Sequence, residues 1–562
     1  MKKTITYQDI TSGQVAGPVD VCIIGSGAGG SVMAHYLTRA GLKVAVLEKG
    51  GYFPPEELGR KEVTLLTRIE GMTIFSPATG EHTRVSLITG ECVGGGTVAS
   101  ESVTWNFPLP VLDDWERMGL KSWARSSRLA GMQEELNQLL SVRPVEMTSH
   151  NGCNQILMIG AEREGLSWKS IDRPVTSCMR CGNCTQGCHY GVKQDAANTF
   201  LTWAQEKGCD IYSGTKAVKL SVNYPGPDDM PYREKLKTAS GAAKDDLLRE
   251  LLQRAKAAPA KFTITAEVMD VKKPVPRSGQ RECKTLTVHA RQVVMAANPI
   301  GSVRLLLKSG INPHGVVGQR FTTHPTSMQC GRFGKNLQLN GWDGMNDSIE
   351  VHHYAYVNKD KPYYQPEKHG FLFEGALSLP WGIANLLPGW GQEHLELMAD
   401  MNHLACIEVN VKSDQYGVIT PDGIRFDISE ADNERQLFGT WLAARMFFRC
   451  GAKQVFTGIP GLVLDSPSQL DEIYRQGRGK NKGYMQKQAN MYSGHVFGGC
   501  IMGTDPESSF ADETGECHEL KGLWVADGSA FPTNVGVNCA MSIMFAGRKI
   551  AADFIAKTKK TA

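Results

Sequence analysis

The sequence predicts an α/β protein. It has a doubly wound, Rossmann-like dinucleotide-binding domain assembled from discontinuous segments, and a second α+β domain built on a mainly antiparallel sheet. Three observations predict it. A glycine fingerprint lies between two strand-like apolar runs near the N-terminus. From Cys330 to about Gly483 the pattern changes to short strands, aromatics and Pro-Gly turns. A strand ending in Asp-Gly then returns near the C-terminus.

The first element is Val21-Cys-Ile-Ile24, a buried parallel strand followed at once by Gly25-Ser-Gly27-Ala-Gly-Gly30. Val32, Met33, Ala34, Leu37 and Ala40 fit a helix closed by Gly41, and Lys43 to Glu48 completes a βαβ unit. Gly25 makes the tight turn, Gly27 lets the backbone approach a diphosphate, and Gly30 lets helix and strand pack closely. The helix N-terminus supplies N–H donors for that diphosphate. Glu48 lies where a ribose-binding acid belongs. Regular periodicity is then lost until Gly90-Glu-Cys-Val-Gly94-Gly95-Gly96-Thr97. Two glycine-rich approaches so close in sequence favour one large shared cofactor over a mobile loop.

Residues 109–142 read as mostly helical, 196–207 as helix and 210–220 as strand. Segment 224–261 shifts to Lys, Glu and Ala, with Leu247, Leu248, Leu251 and Leu252 as one apolar stripe. That stripe is read as an insertion packing on its own protein, with partner docking as the alternative. Residues 288–297 form a buried strand and 302–309 a helix. The apolar run 371–390 either lines a substrate cavity or is core. Near the end, Gly522-Leu-Trp-Val-Ala-Asp527-Gly528 is a strand whose turn suits a second diphosphate or polyol contact. The expected division is 1–329 and 484–562 for the cofactor and 330–483 for the substrate.

Cys178, Cys181, Cys184 and Cys188, in segment 177–191, have the spacing C-x2-C-x2-C-x3-C. Thiolates so placed on a turning loop reach adjacent irons of a cluster. Zinc prefers two separated pairs, and unmetallated thiols are the third reading. Cys153 and Cys209 could replace one ligand, whereas Cys22 and Cys539 read as packing residues.

The bulk properties narrow the classes. With 562 residues, 41% hydrophobic and 21% charged content and a net charge of +3, this is an ordinary globular chain of two domains. No basic run calls for nucleic acid, and no apolar stretch is long enough to be a transmembrane segment. The N-terminus lacks a signal-peptide apolar region, so the default location is cytoplasmic, with export alongside a partner subunit as the alternative. Fifteen cysteines in that setting point to ligation or redox chemistry rather than a disulfide framework.

Taken in order, these motifs resemble the glucose–methanol–choline (GMC) flavoprotein oxidoreductases, especially their bacterial long-chain alcohol oxidase and FAD-dependent sugar dehydrogenase branches. The matching pieces are Gly25 to Gly30 with Glu48, Gly94-Gly-Gly-Thr97, Gly187-Cys-His-Tyr-Gly191-x-Lys193 and Asn298-Pro-Ile-Gly-Ser302. His324-Pro325, Ser493-Gly-His495-x-x-Gly498 and Trp524-Val-Ala-Asp527-Gly-Ser through Asn538 follow. The resemblance implies oxidation of an alcohol to a carbonyl by hydride transfer to flavin N5, with His495 as base and Asn538 holding the substrate oxygen. It implies FAD bound at Gly25, Gly27, Gly30, Glu48, Gly95, Gly96, Thr97, Asp527 and Gly528. The FAD is expected to be non-covalent, because no His lies between Gly90 and Ser102. Two departures stand out: Ala99-Ser100-Glu101 replaces a frequent Asn, and 224–261 has no counterpart. Electrons are expected to leave through an iron–sulfur cluster (4Fe-4S or 3Fe-4S) to an acceptor protein or small subunit. The alternatives are an oxygen-using oxidase without metal, a reductase or desaturase fed through the cysteines, and an electron-transfer subunit without catalysis. Sterol, fatty alcohol, aromatic alcohol and sugar all remain candidate substrates, with the 371–390 run tilting toward a bulky apolar one.

Overall fold

The computed structural model describes the chain apart from residues 1–3, 60–72, 225, 227–228, 230–231, 272, 274–281, 363–364, 366–367, 377–379, 479–481 and 562. Two sheets carry the architecture. In the first, parallel strands run in the order Asp210–Tyr212, Val44–Leu47, Gln14–Ile24 and Cys283–Met295, and Leu523–Val525 pairs with the last of these. The all-apolar Val44–Leu47 is buried at every position, as a strand covered on both faces must be. Cys283–Met295 is long enough to serve twice. Its second half lies parallel to the N-terminal strand, and its first half pairs antiparallel with Phe262–Met269, which continues to Thr215–Val222.

Helix Ala28–Arg39 follows the first strand and packs against helix Ala540–Thr561, so the chain's two ends share one layer. Small residues allow this. A Cβ on Gly29 would collide with Ala526 O, one on Gly30 with Gly25 O, and Gly547 lies against Gly29.

Among the described residues the second sheet has twelve strands and is mainly antiparallel. It is not confined to residues 330–483: Thr73–Thr79, Arg84–Gly90, Trp168–Ser170, Met491–Ser493 and the start of Thr326–Arg332 also belong to it. Helix Glu430–Arg449 covers one face. Its Gly439 lies against Val409, and its Phe438 meets Phe371 edge-on. Because alternate residues of a strand point to opposite faces, Glu374 and Glu408 face away from that helix.

Several expectations are refined here. The 109–142 region splits into helices Leu109–Arg117 and Ser127–Leu139. The apolar stripe lies on the charged helix Ala242–Ala257, where Leu251 is buried and Leu252 is exposed. The apolar run 371–390 is distributed rather than shared. Phe371 and Phe373 belong to the main core, Ile383 and Leu387 to a satellite core with Cys330 and Cys406, and Trp390 is 88% exposed. Residues 377–379 and the Trp381 side chain lie outside the described residues. Among the described residues no helix is long and apolar enough to cross a membrane.

Candidate active site

The two glycine loops touch. Gly95, with a left-handed φ of +55°, comes so close to Gly27 that a Cβ on Gly95 would stand 2.8 Å from Gly27 Cα. Ser26 links them. Its hydroxyl donates to Glu48 Oε2 at 2.6 Å and accepts the Gly94 N–H at 3.0 Å, and its own N–H also donates to Glu48 Oε2. Gly50 N–H donates to Glu48 Oε1 at 2.8 Å. Glu48 is thus 7% exposed, with its carboxylate committed to the turn. Burial raises its pKa, and these donors oppose the rise.

This site fits a diphosphate cofactor. Helix Ala28–Arg39 starts at Gly27 with no side-chain cap on its first turn, and a Cβ on either Gly27 or Gly96 would meet nothing within 4 Å. The other glycines have structural work. Gly25 has φ +102° and lies against Ala296 O, and Gly30 packs on Gly25. Thr97 Oγ1 donates to Gly94 O and accepts from Ala196 N–H, which pins the second loop.

Asp527 is expected at a polyol, yet the structure gives both its oxygens to protein. Ser302 Oγ donates to Oδ2 at 2.6 Å, while Ser529 N–H and Oγ donate to Oδ1. Its carboxylate holds the strand-to-helix turn to helix Asn298–Lys308. Gly528 O accepts Gly498 N–H at 2.9 Å, and a Cβ on Gly528 would press on Val496 O. The route from Gly29 through Ala526, Asp527 and Gly528 therefore leads directly to the loop that carries His495.

His495 is braced through its backbone: its N–H donates to Ser493 Oγ, and its carbonyl accepts from Thr323 Oγ1 at 2.6 Å. Its Nδ1 stands 3.1 Å from His324 Nδ1. His324 Nε2 has two rival neighbours, Gly536 N–H at 3.0 Å and Asn534 Oδ1 at 3.2 Å. The first needs a lone pair and the second a proton, so a neutral His324 satisfies one at a time. With the proton on Nε2, His324 Nδ1 accepts from His495 Nδ1–H and leaves a lone pair on His495 Nε2. In the other tautomer His495 Nε2 carries the hydrogen. Burial lowers His495 to about 4, and burial with the neighbouring His495 and Lys412 holds His324 well below the usual histidine range. Both rings are neutral near pH 7.

Asn538 belongs to the segment whose Asn534 and Gly536 meet His324. Its Nδ2 donates to Glu374 Oε2 at 3.3 Å, and its Oδ1 is buried without a partner. Sequence reasoning missed Ser26, Asn534 and Glu374. Ser26 stands at a variable position of the fingerprint, and Glu374 has no local signal because it comes from the other sheet.

The four cysteines converge. Cys178, Cys181, Cys184 and Cys188 line one pocket with Glu101, Tyr190 and Met345. Buried Lys193 fastens it to the second glycine loop, donating to Cys184 O, Val98 O and Ser100 O at 2.6–3.0 Å. Burial raises Cys178 and Cys184, which keeps them as thiols. Among the described residues no three Cys, His, Asp or Glu side chains are placed to hold a metal ion, so the geometry lends the expected cluster no support. Cys153 and Cys209 are not substitutes. Cys153 accepts the Cys406 N–H beneath the second sheet, and Cys209 is a core residue of the first.

Comparison with known proteins agrees with this geometry. Family models described as GMC oxidoreductase match residues 19–326 and 407–547. A long-chain-alcohol oxidase of Arabidopsis thaliana is 28% identical over 93% of this chain, and the chain spans 65% of that protein's length. A cholesterol oxidase of Acinetobacter baumannii is 22% identical, covering 93% of this chain and 92% of its own. Formate oxidase of Aspergillus oryzae superposes with a TM-score of 0.67 at 14% identity, over 98% of this chain and all of the other, a likeness of fold.

Proposed function

The chain belongs to the GMC oxidoreductase family, and from that premise we propose that it oxidises an alcohol to a carbonyl compound using non-covalent FAD. Residues 1–329 and 484–562 would hold the cofactor, and 330–483 would supply most of the roof over the substrate. The observation that carries the reading is the neutral His495–His324 pair, tied to the Asn534–Asn538 segment through Asn534 and Gly536 and joined through Gly528 and Ala526 to the glycine turn. The uncapped helix at Gly27 and the open space at Gly27 and Gly96 would take the diphosphate, with Glu48 on the ribose side. When bound, the flavin supplies the hydride acceptor. His495 takes the hydroxyl proton on Nε2, in the tautomer where Asn534 Oδ1 accepts from His324 Nε2–H. His324 Nδ1 then holds the His495 Nδ1–H and steadies the imidazolium that forms. Asn538 Nδ2, one of whose hydrogens Glu374 holds, donates the other to the substrate oxygen.

Acid precipitation should release FAD into the supernatant. His495→Ala should keep FAD while flavin reduction by the best alcohol slows by roughly 10²–10⁴. A folded variant with unchanged reduction would remove His495 from the mechanism.

The onward path of the electrons divides on the cysteines. A metal centre at Cys178, Cys181, Cys184 and Cys188 would make the protein a dehydrogenase serving a carrier protein, small subunit or quinone, and thiols alone would leave an oxidase. Spacing and the shared pocket support the first, and the thiol placement supports the second.

A further inference from the structure

The second sheet carries an unusual row. Glu350 lies directly opposite Glu374, and Glu374 directly opposite Glu408, on three neighbouring strands. Directly opposed residues share a face, and like charges so placed destabilise a sheet. Glu350 and Glu374 are 0% and 1% exposed. An apolar row would pack this face at no such cost, as Phe371, Phe373 and Val409 do on the other side.

The ends of the row face a charged or hydroxyl group. Lys169 Nζ stands 3.4 Å from Glu350 Oε1, although neither Glu350 oxygen is hydrogen-bonded, and Tyr492 Oη donates to Glu408 Oε1. The middle has amides instead. Glu374 Oε2 accepts two amide N–H bonds, from Asn410 at 2.8 Å and Asn538 at 3.3 Å, while Oε1 is buried without a partner. Burial first, then the neighbouring Glu408 and Glu350, raises Glu374 well above the usual carboxyl range. This favours the protonated carboxyl, and with two donors on Oε2 its proton belongs on Oε1. Beside it Asn538, which is not part of the acidic row, leaves its amide Oδ1 buried and unpartnered. The Asn538–Glu374 pair, joined through Nδ2 and Oε2, thus leaves a carboxyl oxygen and an amide carbonyl oxygen without partners. A hydroxyl satisfies both: its oxygen accepts from Glu374 and its hydrogen goes to Asn538.

We propose that Glu374 and Asn538 bind a second hydroxyl of the substrate, so that the alcohol oxidised here is a diol or polyol rather than a purely aliphatic alcohol. This rests on the reading of His495 and Asn538 as flanking the reacting carbon. It also differs from the tilt toward an apolar substrate, because the described large apolar side chains of the 371–390 run lie in two cores and at the surface. A site built to hydrogen-bond a hydroxyl discriminates strongly against an analogue lacking it, since its own buried groups are then left bare.

The test is anaerobic reduction of the holoenzyme's flavin by 1,2-hexanediol and by 1-hexanol, read as the ratio of the two kcat/KM values. The wild type should favour the diol by about tenfold or more. Glu374→Leu should lower that ratio by about tenfold or more, and Glu374→Gln, which keeps a donor in place, should retain much of it. An unchanged ratio in folded Glu374→Leu would overturn the subsite, since a residue that merely braces Asn538 would slow both substrates alike. The wild-type ratio stands as a test even if the variants fail to fold. Equal reduction by both alcohols, or preference for 1-hexanol, overturns the subsite and leaves alcohol oxidation standing. Reduction by neither overturns both.

Discussion

The most direct perturbation of the proposed chemistry is pH, because burial sets the His495 pKa near 4 rather than at the ordinary value of about 6.5. A general base acts when neutral. The rate therefore falls as pH drops through the folded pKa and is level above it. With a pKa of about 4, roughly 90% of His495 is neutral at pH 5 and nearly all of it at pH 6. With the ordinary pKa, only about 3% would be neutral at pH 5 and about a quarter at pH 6. The two cases differ by about thirtyfold at pH 5 and about fourfold at pH 6. Stopped-flow reduction of the bound flavin, with alcohol below saturation and oxygen removed, reads the free-enzyme value from kcat/KM. The expected profile is flat from about pH 5.5 to 8, with its acid limb near 4. A limb centred near 6.5 would refute the burial argument while keeping His495 as base. A limb that persists in His495→Ala would assign the titration to another group.

Two further outcomes follow from the loops and the cysteines. Gly27→Ala should fold with an apoprotein Tm within about 1 °C of wild type, since its Cβ meets nothing, yet lose about tenfold or more in FAD affinity. Gly29→Ala should lower the Tm by several degrees even without FAD, because its Cβ would collide with Ala526 O. Equal effects of the two would refute the division between binding glycine and packing glycine. Anaerobically prepared protein carrying about three to four irons, lost in Cys181→Ser, would establish the cluster. Iron-free protein that forms peroxide rapidly would make this an oxidase.

The sequence by itself determined the first domain. The fingerprint from Gly25 to Gly30, the flanking apolar strands and Glu48 form a contiguous unit, and each residue's task follows from local backbone geometry. The loop of His495 is likewise marked locally, by the glycines on either side of it. Local reasoning also found that the four cysteines belong together, because a short spacing brings side chains to one place in any turning loop. Tertiary structure decided the rest. The second sheet borrows strands from residues 73–90, 168–170 and 491–493, so its limits are set by pairings over hundreds of residues that no local period records. The bond from Ser302 to Asp527, 225 positions away, has no mark in the sequence. The tautomer of His495 depends on Asn534 and Gly536, which reach it only through His324. Glu374 reads in sequence as one acid in an apolar strand. Its raised pKa comes from burial and from Glu408 and Glu350 on the neighbouring strands, none of which its own segment records. A residue's chemistry is legible locally when its neighbours in space are its neighbours in sequence. Where desolvation and partners arrive from distant segments, only the folded chain fixes the charge it carries.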